Sequence, residues 1–228
     1  MKIIDAHSHL DYITHLQQPG VVGTICCTTD ESQWTKLVNL IRQDNHVYGA
    51  FGVHPWFVDS VSDEFNARLE NLLNTDIRYM VGEIGLDKYK QNMDKQVDVF
   101  IKQFDLAVRL KRTVFLHCVG AWDKILCILK QYNKLELPMI VLHGFNANQQ
   151  ILKQLLQYKN IIFSVNKIGI SSVNSRIEQI DNNRILVESD GNSAVVLNEL
   201  INQIMKLKHN KNIDEIIFNN TQRILNNE

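Results

Sequence analysis

The stretch that decides the fold is MDKQVDVFIKQFDLAVRLK (93–111), followed almost at once by TVFLHC (113–118). In the first, Val97, Phe100, Ile101, Phe104, Ala107 and Val108 recur at the spacing that gathers apolar side chains on one face of an α-helix. The second is a short apolar run with the length and residue types of a strand buried on both faces. A run of the same kind, YMVGEIGL (79–86), precedes the helix. Strand, amphipathic helix, strand is the crossover unit from which parallel sheets are built.

Outward from this unit the pattern repeats. The other apolar runs are KIIDAH (2–7), VVGTICCTT (21–29), VYGAFGV (47–53), MIVLHGF (139–145), NIIFSV (160–165) and RILVES (184–189). Amphipathic stretches over 31–44, 63–74, 121–132, 147–158 and 194–207 follow strands in the same manner. Eight β-then-α units of about 28 residues each are what a small TIM-type barrel requires. An open doubly wound sheet would be expected to carry a glycine-rich phosphate turn, and neither GxGxxG nor GxxxxGK occurs. No proline- or serine-rich linker divides the chain. The expectation is an α/β protein: a single TIM-type (β/α)8 barrel, one domain over residues 1–228.

Composition narrows the function. The 228 residues are 45% hydrophobic and 21% charged, ordinary for a globular protein. With 24 basic against 25 acidic residues, the chain lacks the basic excess of proteins that coat duplex nucleic acid. Cys26, Cys27, Cys118 and Cys127 form no CxxC pair, which points to reduced thiols rather than a disulfide frame or zinc knuckle. Neither a signal-peptide pattern nor a bilayer-length apolar run is present, so the expectation is a cytoplasmic protein with no membrane association and no obligate protein partner.

In barrels of this type the chemistry lies at the C-terminal ends of the strands. His7 and His9 of DAHSHL sit there, two residues apart, a spacing that in a strand sends both imidazoles to one side. The third run leads into His54 of GVHPW, the fourth carries Glu83, the fifth and sixth end with His117 and His143, and the eighth with Asp190 of VESD. Five of the eight histidines therefore fall at one rim, while His15, His46 and His209 lie in loops or helix ends. A carboxylate such as Glu83, between Gly82 and Gly85 in an apolar strand, is costly to bury unless paired or metal-bound.

Four histidines and two carboxylates exceed the three protein ligands usual for one catalytic zinc. They suit two divalent ions with a shared carboxylate, and Glu83, between the first-strand pair and the fifth- and sixth-strand histidines, is the natural bridge. Such ions generate hydroxide near neutral pH and polarise a phosphoryl or carbonyl oxygen; Asp190 could both bind metal and take the proton from the attacking water. A mixed imidazole and carboxylate set accepts Zn, Mn, Ni or Fe, and Mg less readily.

The ordered elements DAHSHLD, GVHP, VGEIGLD, VFLHC, VLHGF and VESD, with NNTQRIL near the end, resemble the TatD family of metal-dependent deoxyribonucleases, within the amidohydrolase superfamily. The resemblance spans nearly the whole chain and includes the helix QVDVFIKQFDLAVRL (96–110). It implies His7, His9, Glu83, His117, His143 and Asp190 as metal ligands and Asp190 as general base. It further implies hydrolysis of DNA phosphodiester bonds, often from the 3′ end, on a small or single-stranded nucleic-acid substrate. Two places depart from the family pattern. Val119 stands where an arginine is usual, and Gly191-Asn192-Ser193 replaces a small residue, proline and an aromatic. A hydrolase of amide, lactone or other ester bonds and a non-catalytic metal-binding barrel are the competing functions.

Around this set, His54 is a candidate substrate contact or hydrogen-bonding partner of a ligand. Trp56 and Phe57 could stack on a base, but packing as a cap on the barrel mouth is the stronger expectation. Lys88 and Lys90 could meet a phosphate. Cys118 is a poor nucleophile candidate, because a metal-bound His117 cannot act as its base.

Overall fold

The computed structural model describes residues 1–11, 18–192 and 197–227; His15 and Ser193 lie outside them. Eight strands, Ile3–Ser8 (β1), Val21–Cys27 (β2), Val47–Phe51 (β3), Met80–Asp87 (β4), Val114–Val119 (β5), Ile140–Leu142 (β6), Ile161–Val165 (β7) and Ile185–Val187 (β8), pair in parallel and in chain order. The seam between β8 and β1 is tied by side chain and backbone together. Ser189 donates its N–H and its hydroxyl to the Asp5 carboxylate at 2.9 and 2.6 Å, and the Asp190 N–H donates to the His7 carbonyl at 3.0 Å.

The apolar residues sort into two layers because successive side chains on a strand point to opposite faces. Ala6, Ile25, Ala50, Met80, Phe115, Val141, Ile162 and Leu186, one from each strand, meet in a single interior cluster. That meeting requires the sheet to close on itself. The alternate residues, among them Val81, Ile84, Leu116, Leu142, Phe163 and Val187, pack outward with the helices. The architecture is a (β/α)8 barrel.

Six helices follow β2 to β7 in turn: Trp34–Gln43 (α1), Phe65–Leu73 (α2), Met93–Leu110 (α3), Trp122–Leu129 (α4), Gln149–Leu155 (α5) and Lys167–Ile177 (α6). Two more, Leu197–Leu207 (α7) and Ile213–Asn226 (α8), follow β8. The strand and helix alternation expected from the sequence is present from β2 onward. Residues 9–20 link β1 to β2, and their described part holds no α-helix. α8 packs against β8 and β1 instead, and its Ile224 joins the interior cluster.

Two register irregularities bear on the site. Asp5 pairs with Thr24 and Ser8 with Cys26, so β1 spends three steps where β2 spends two. Val81 pairs with Val114 and Ile84 with Leu116, the same excess on β4. An extra residue of this kind re-aims the side chains beside it. Here the two excesses fall at His7 and at Gly82-Glu83. Beyond the second, β4 runs so close to β5 that a Cβ on Gly85, at φ +151°, would stand 1.9 Å from the His117 carbonyl oxygen. Only glycine fits there.

Candidate metal centre

The ends of β1, β4, β5, β6 and β8, with the loop after β3, bring seven polar side chains to the C-terminal mouth. Glu83 is central and only 2% exposed. Its Oε2 lies 3.3 Å from His7 Nε2 and 3.6 Å from His9 Nε2. Its Oε1 lies 2.7 Å from His117 Nδ1, 3.4 Å from His54 Nε2 and 3.7 Å from His143 Nε2. Asp190 Oδ1 faces His9 Nε2 and His143 Nε2, each at 3.7 Å. Three overlapping groups have donor atoms close enough to share an ion: His7, His9 and Glu83; His7, His143 and Asp190; and His54, Glu83 and His117.

Hydrogen bonds at the far ring nitrogens sort these histidines. His9 Nδ1 lies 3.1 Å from the Cys27 carbonyl, which can only accept; the proton sits on Nδ1 and the Nε2 lone pair faces Glu83 and Asp190. His143 Nδ1 lies 2.8 Å from Glu188 Oε1, short of a well-aligned hydrogen bond but close enough to favour the same tautomer. His54 is the reverse. Its Nδ1 accepts the Trp56 N–H at 3.2 Å, so in the neutral ring Nε2 carries the proton and points it at Glu83. His54 is therefore arranged to donate to the Glu83 carboxylate, and its nitrogen facing the cluster has no lone pair to offer a cation.

The electrostatics follow from burial set against neighbouring charge. Burial opposes ionisation of Glu83, yet His54, His143, His7 and the His117 hydrogen bond together hold it well below the usual carboxylate range. Burial also opposes charge on His143, and Glu188 and Glu83 overcome it, pushing the ring up to about 10. For His7 and His54 burial prevails and the rings are shifted down. His9 is raised against burial by Asp190 and Glu83; Asp190 is lowered against burial, chiefly by the neighbouring His9 ring.

The residues fit a divalent cation. His7 Nε2, His9 Nε2 and Glu83 Oε2 converge within 3.3 to 3.6 Å, a gathering of electron pairs that a positive ion resolves. His117 Nε2 is buried without a hydrogen-bond partner, another cost that ligation would relieve.

Three residues of the site escape a reading of the sequence, and two others are placed differently from the expectation. Glu188, fully buried, braces His143 and accepts the Gly144 N–H at 2.7 Å; its place two residues before Asp190 is the one signal it gives. Asn166 caps α6 by accepting the Gly169 N–H and turns its amide toward Asp190 at 3.5 Å. Asp87, whose Oδ2 is 3.8 Å from His117 Nε2, is held through its backbone by Gln96 of α3. Trp56 and Phe57, expected to pack over the mouth, are instead 54% and 38% exposed. The short 3-10 turn Pro55–Ser60 directs its apolar anchor, Val58, inward and leaves those rings at the rim.

Fold and site together define a (β/α)8 barrel with a histidine and carboxylate cluster at its C-terminal mouth. The family profile described as TatD related DNase matches residues 4–226, and the chain belongs to that family. The chain is 30% identical over 148 residues to a 3′-5′ ssDNA/RNA exonuclease TatD of Erwinia amylovora, covering 63% of this chain and 56% of that one. It is 29% identical over 185 residues to the human 3′-5′ RNA nuclease TATDN2, covering 75% of this chain and 23% of the relative. The matches thus span about half, or less, of those relatives' lengths. The metal-dependent hydrolase YjjV of Escherichia coli is 28% identical over 171 residues, covering 68% of this chain and 65% of the relative. A crystal structure of YjjV superposes with a TM-score of 0.82 at 23% identity, covering 99% and 95% of the two chains, which shows the shared fold. Among the described residues no helix is long and apolar enough to cross a membrane.

Proposed function

We propose that the protein is a metal-dependent phosphodiesterase that cleaves single-stranded nucleic acid, DNA in the first place, from the 3′ end. The observation that carries this reading is Glu83. One of its oxygens faces the His7–His9 pair while the other faces His117 and His143, so a single buried carboxylate joins two sets of nitrogen donors. His7, His9, Glu83, His117, His143 and Asp190 would hold two divalent ions, with Zn, Mn, Ni or Fe better matched to these donors than Mg. When bound, such ions supply Lewis acidity toward a phosphoryl oxygen and make water acidic enough to attack near neutral pH.

The chain's own residues provide the remaining steps. Asp190 is held ionised and keeps 38% of its side chain exposed, so its carboxylate can take a proton from an attacking water and pass it to solvent. His54 donates to Glu83 and keeps that carboxylate oriented. Trp56 and Phe57 line, with the cluster, a cavity of about 520 Å³ in which a nucleotide can lie. We further place the protein as one barrel unit over residues 1–228 in a reducing, cytoplasmic setting, which the free thiols of Cys26, Cys27 and Cys118 support.

The test is a substrate comparison. Protein loaded separately with Zn, Mn and Mg is incubated with end-labelled single-stranded DNA, single-stranded RNA and simple carboxylic esters and amides. Stepwise shortening of the strands from the 3′ end is the expected result. Turnover of esters or amides with no phosphodiester cleavage would replace this reading with the carbonyl hydrolase.

A further inference from the structure

Beside the candidate metal centre, Trp56 stands with two side chains not yet given a role, Tyr89 and Lys90, on two neighbouring loops. Trp56 projects from the loop after β3, Tyr89 and Lys90 from the loop after β4. Tyr89 is 80% exposed, an unusual setting for a large aromatic ring. Asp87 ties the two loops together: its Oδ2 accepts the Trp56 Nε1–H at 2.7 Å, and its Oδ1 accepts the Tyr89 N–H at 2.9 Å. That carboxylate is itself buried, 3.8 Å from His117 Nε2, so the Trp56 ring and the Tyr89 backbone are fixed relative to the cluster. The Lys90 ammonium lies 4.1 Å from the Trp56 ring centroid.

We propose that Trp56, Tyr89 and Lys90 form a shelf on which a base of a single-stranded nucleic acid stacks while the ammonium holds the adjoining phosphate. The inference rests on the hydrolase reading above and adds to it the residues that select a nucleic acid over a simple phosphodiester. Indole and phenol rings accept any base by its π-face, and a lysine beside them neutralises the backbone without reading sequence. Trp56 also lines the cavity that holds His9, Glu83 and Asp190, so a strand stacked on its ring leads to the cluster. Tethering of the indole by Asp87 lowers the ordering cost of binding. The flexible stem of Lys90 lets its head leave the ring for a phosphate.

The protein's own fluorescence reads this contact. Of its three tryptophans, Trp34 and Trp122 are 5% and 9% exposed, so a ligand that quenches by stacking acts on Trp56. The full chain is titrated with an oligothymidylate and with an abasic strand of equal length, as purified and again with EDTA present to stop turnover. Affinity is measured in parallel by anisotropy of labelled strands. Saturable quenching by the oligothymidylate and little by the abasic strand is expected. Trp56→Ala should weaken oligothymidylate binding about tenfold, and Trp56→Phe should restore most of it. Lys90→Ala should reduce the slope of log affinity against log salt by about 0.7, the loss of one phosphate contact on a single strand. Equal quenching by the abasic strand, or wild-type affinity in Trp56→Ala, would overturn the shelf. Base-dependent binding without hydrolysis of any strand would leave the shelf standing and reject the hydrolase reading; strand hydrolysis without quenching would do the reverse.

Discussion

Glu188 Oε1 stands 2.8 Å from His143 Nδ1 and also accepts the Gly144 N–H at 2.7 Å, so one fully buried carboxylate fixes both the ring and the backbone beside it. A carboxylate behind a histidine sets its tautomer and makes its outward nitrogen a better donor. Glu188→Gln keeps the shape and removes the charge. Metal affinity should fall by about tenfold or more. Competition with a chelating dye measures this, and affinity equal to the wild type would show that His143 needs no brace.

Asp190 sits at φ +55°, a left-handed conformation that asparagine adopts as readily as aspartate. Asp190→Asn therefore removes the proton acceptor without straining the chain. Turnover should drop by about 10²- to 10⁴-fold, the range for loss of a general base, while the melting temperature stays near that of the wild type. Activity within a few-fold of the wild type would assign the proton transfer to another group.

Gly85→Ala tests the close approach of β4 to β5. The new Cβ would meet the His117 carbonyl at 1.9 Å, and the obstacle is backbone that cannot swing aside. Destabilisation of about 3 kcal/mol or more is expected from this overlap. Denaturant unfolding would read it as a lower midpoint, and an unchanged midpoint would mean that the strands part easily.

Metal binding should depend on pH in a definite direction. In the metal-free protein the folded value of His143 is about 10, above the ordinary 6.5, and His9 is also raised. The stability that His143 gains from its charge is thus complete below about 6.5 and is lost as pH rises through about 10. A cation must displace these protons. Apparent metal affinity should rise with pH across that window, with protons released on binding. Calorimetry in two buffers of different ionisation enthalpy measures the release, and affinity independent of pH would refute it.

Much of this architecture is legible along the chain. The apolar period of 93–111 and the short runs on either side define strand, helix, strand because burial of one helix face and of both strand faces is written in residue spacing. The clustering of histidines at strand ends is legible for the same reason: in a parallel barrel all strands end at one rim. The place of α8 reads less well, since it packs against β8 and β1 from the far end of the chain. The exposure of Trp56 is not legible at all, because aromatic rings in a loop pack inward or outward according to what lies beneath them.

The sequence by itself determined the order of the elements, the barrel class and the set of imidazoles and carboxylates at its mouth, since each depends on local periodicity or on position within a strand. Tertiary structure alone decided the arrangement within that set. The extra residues in β1 and β4 fall where His7 and Glu83 must be aimed, Glu188 and the Cys27 carbonyl choose the tautomers of His143 and His9, and the Trp56 N–H turns His54 into a donor. Each of these contacts joins residues whose partnership depends on how the chain closes in space, and a proton's place on an imidazole is set by whichever partner the closed barrel puts beside it.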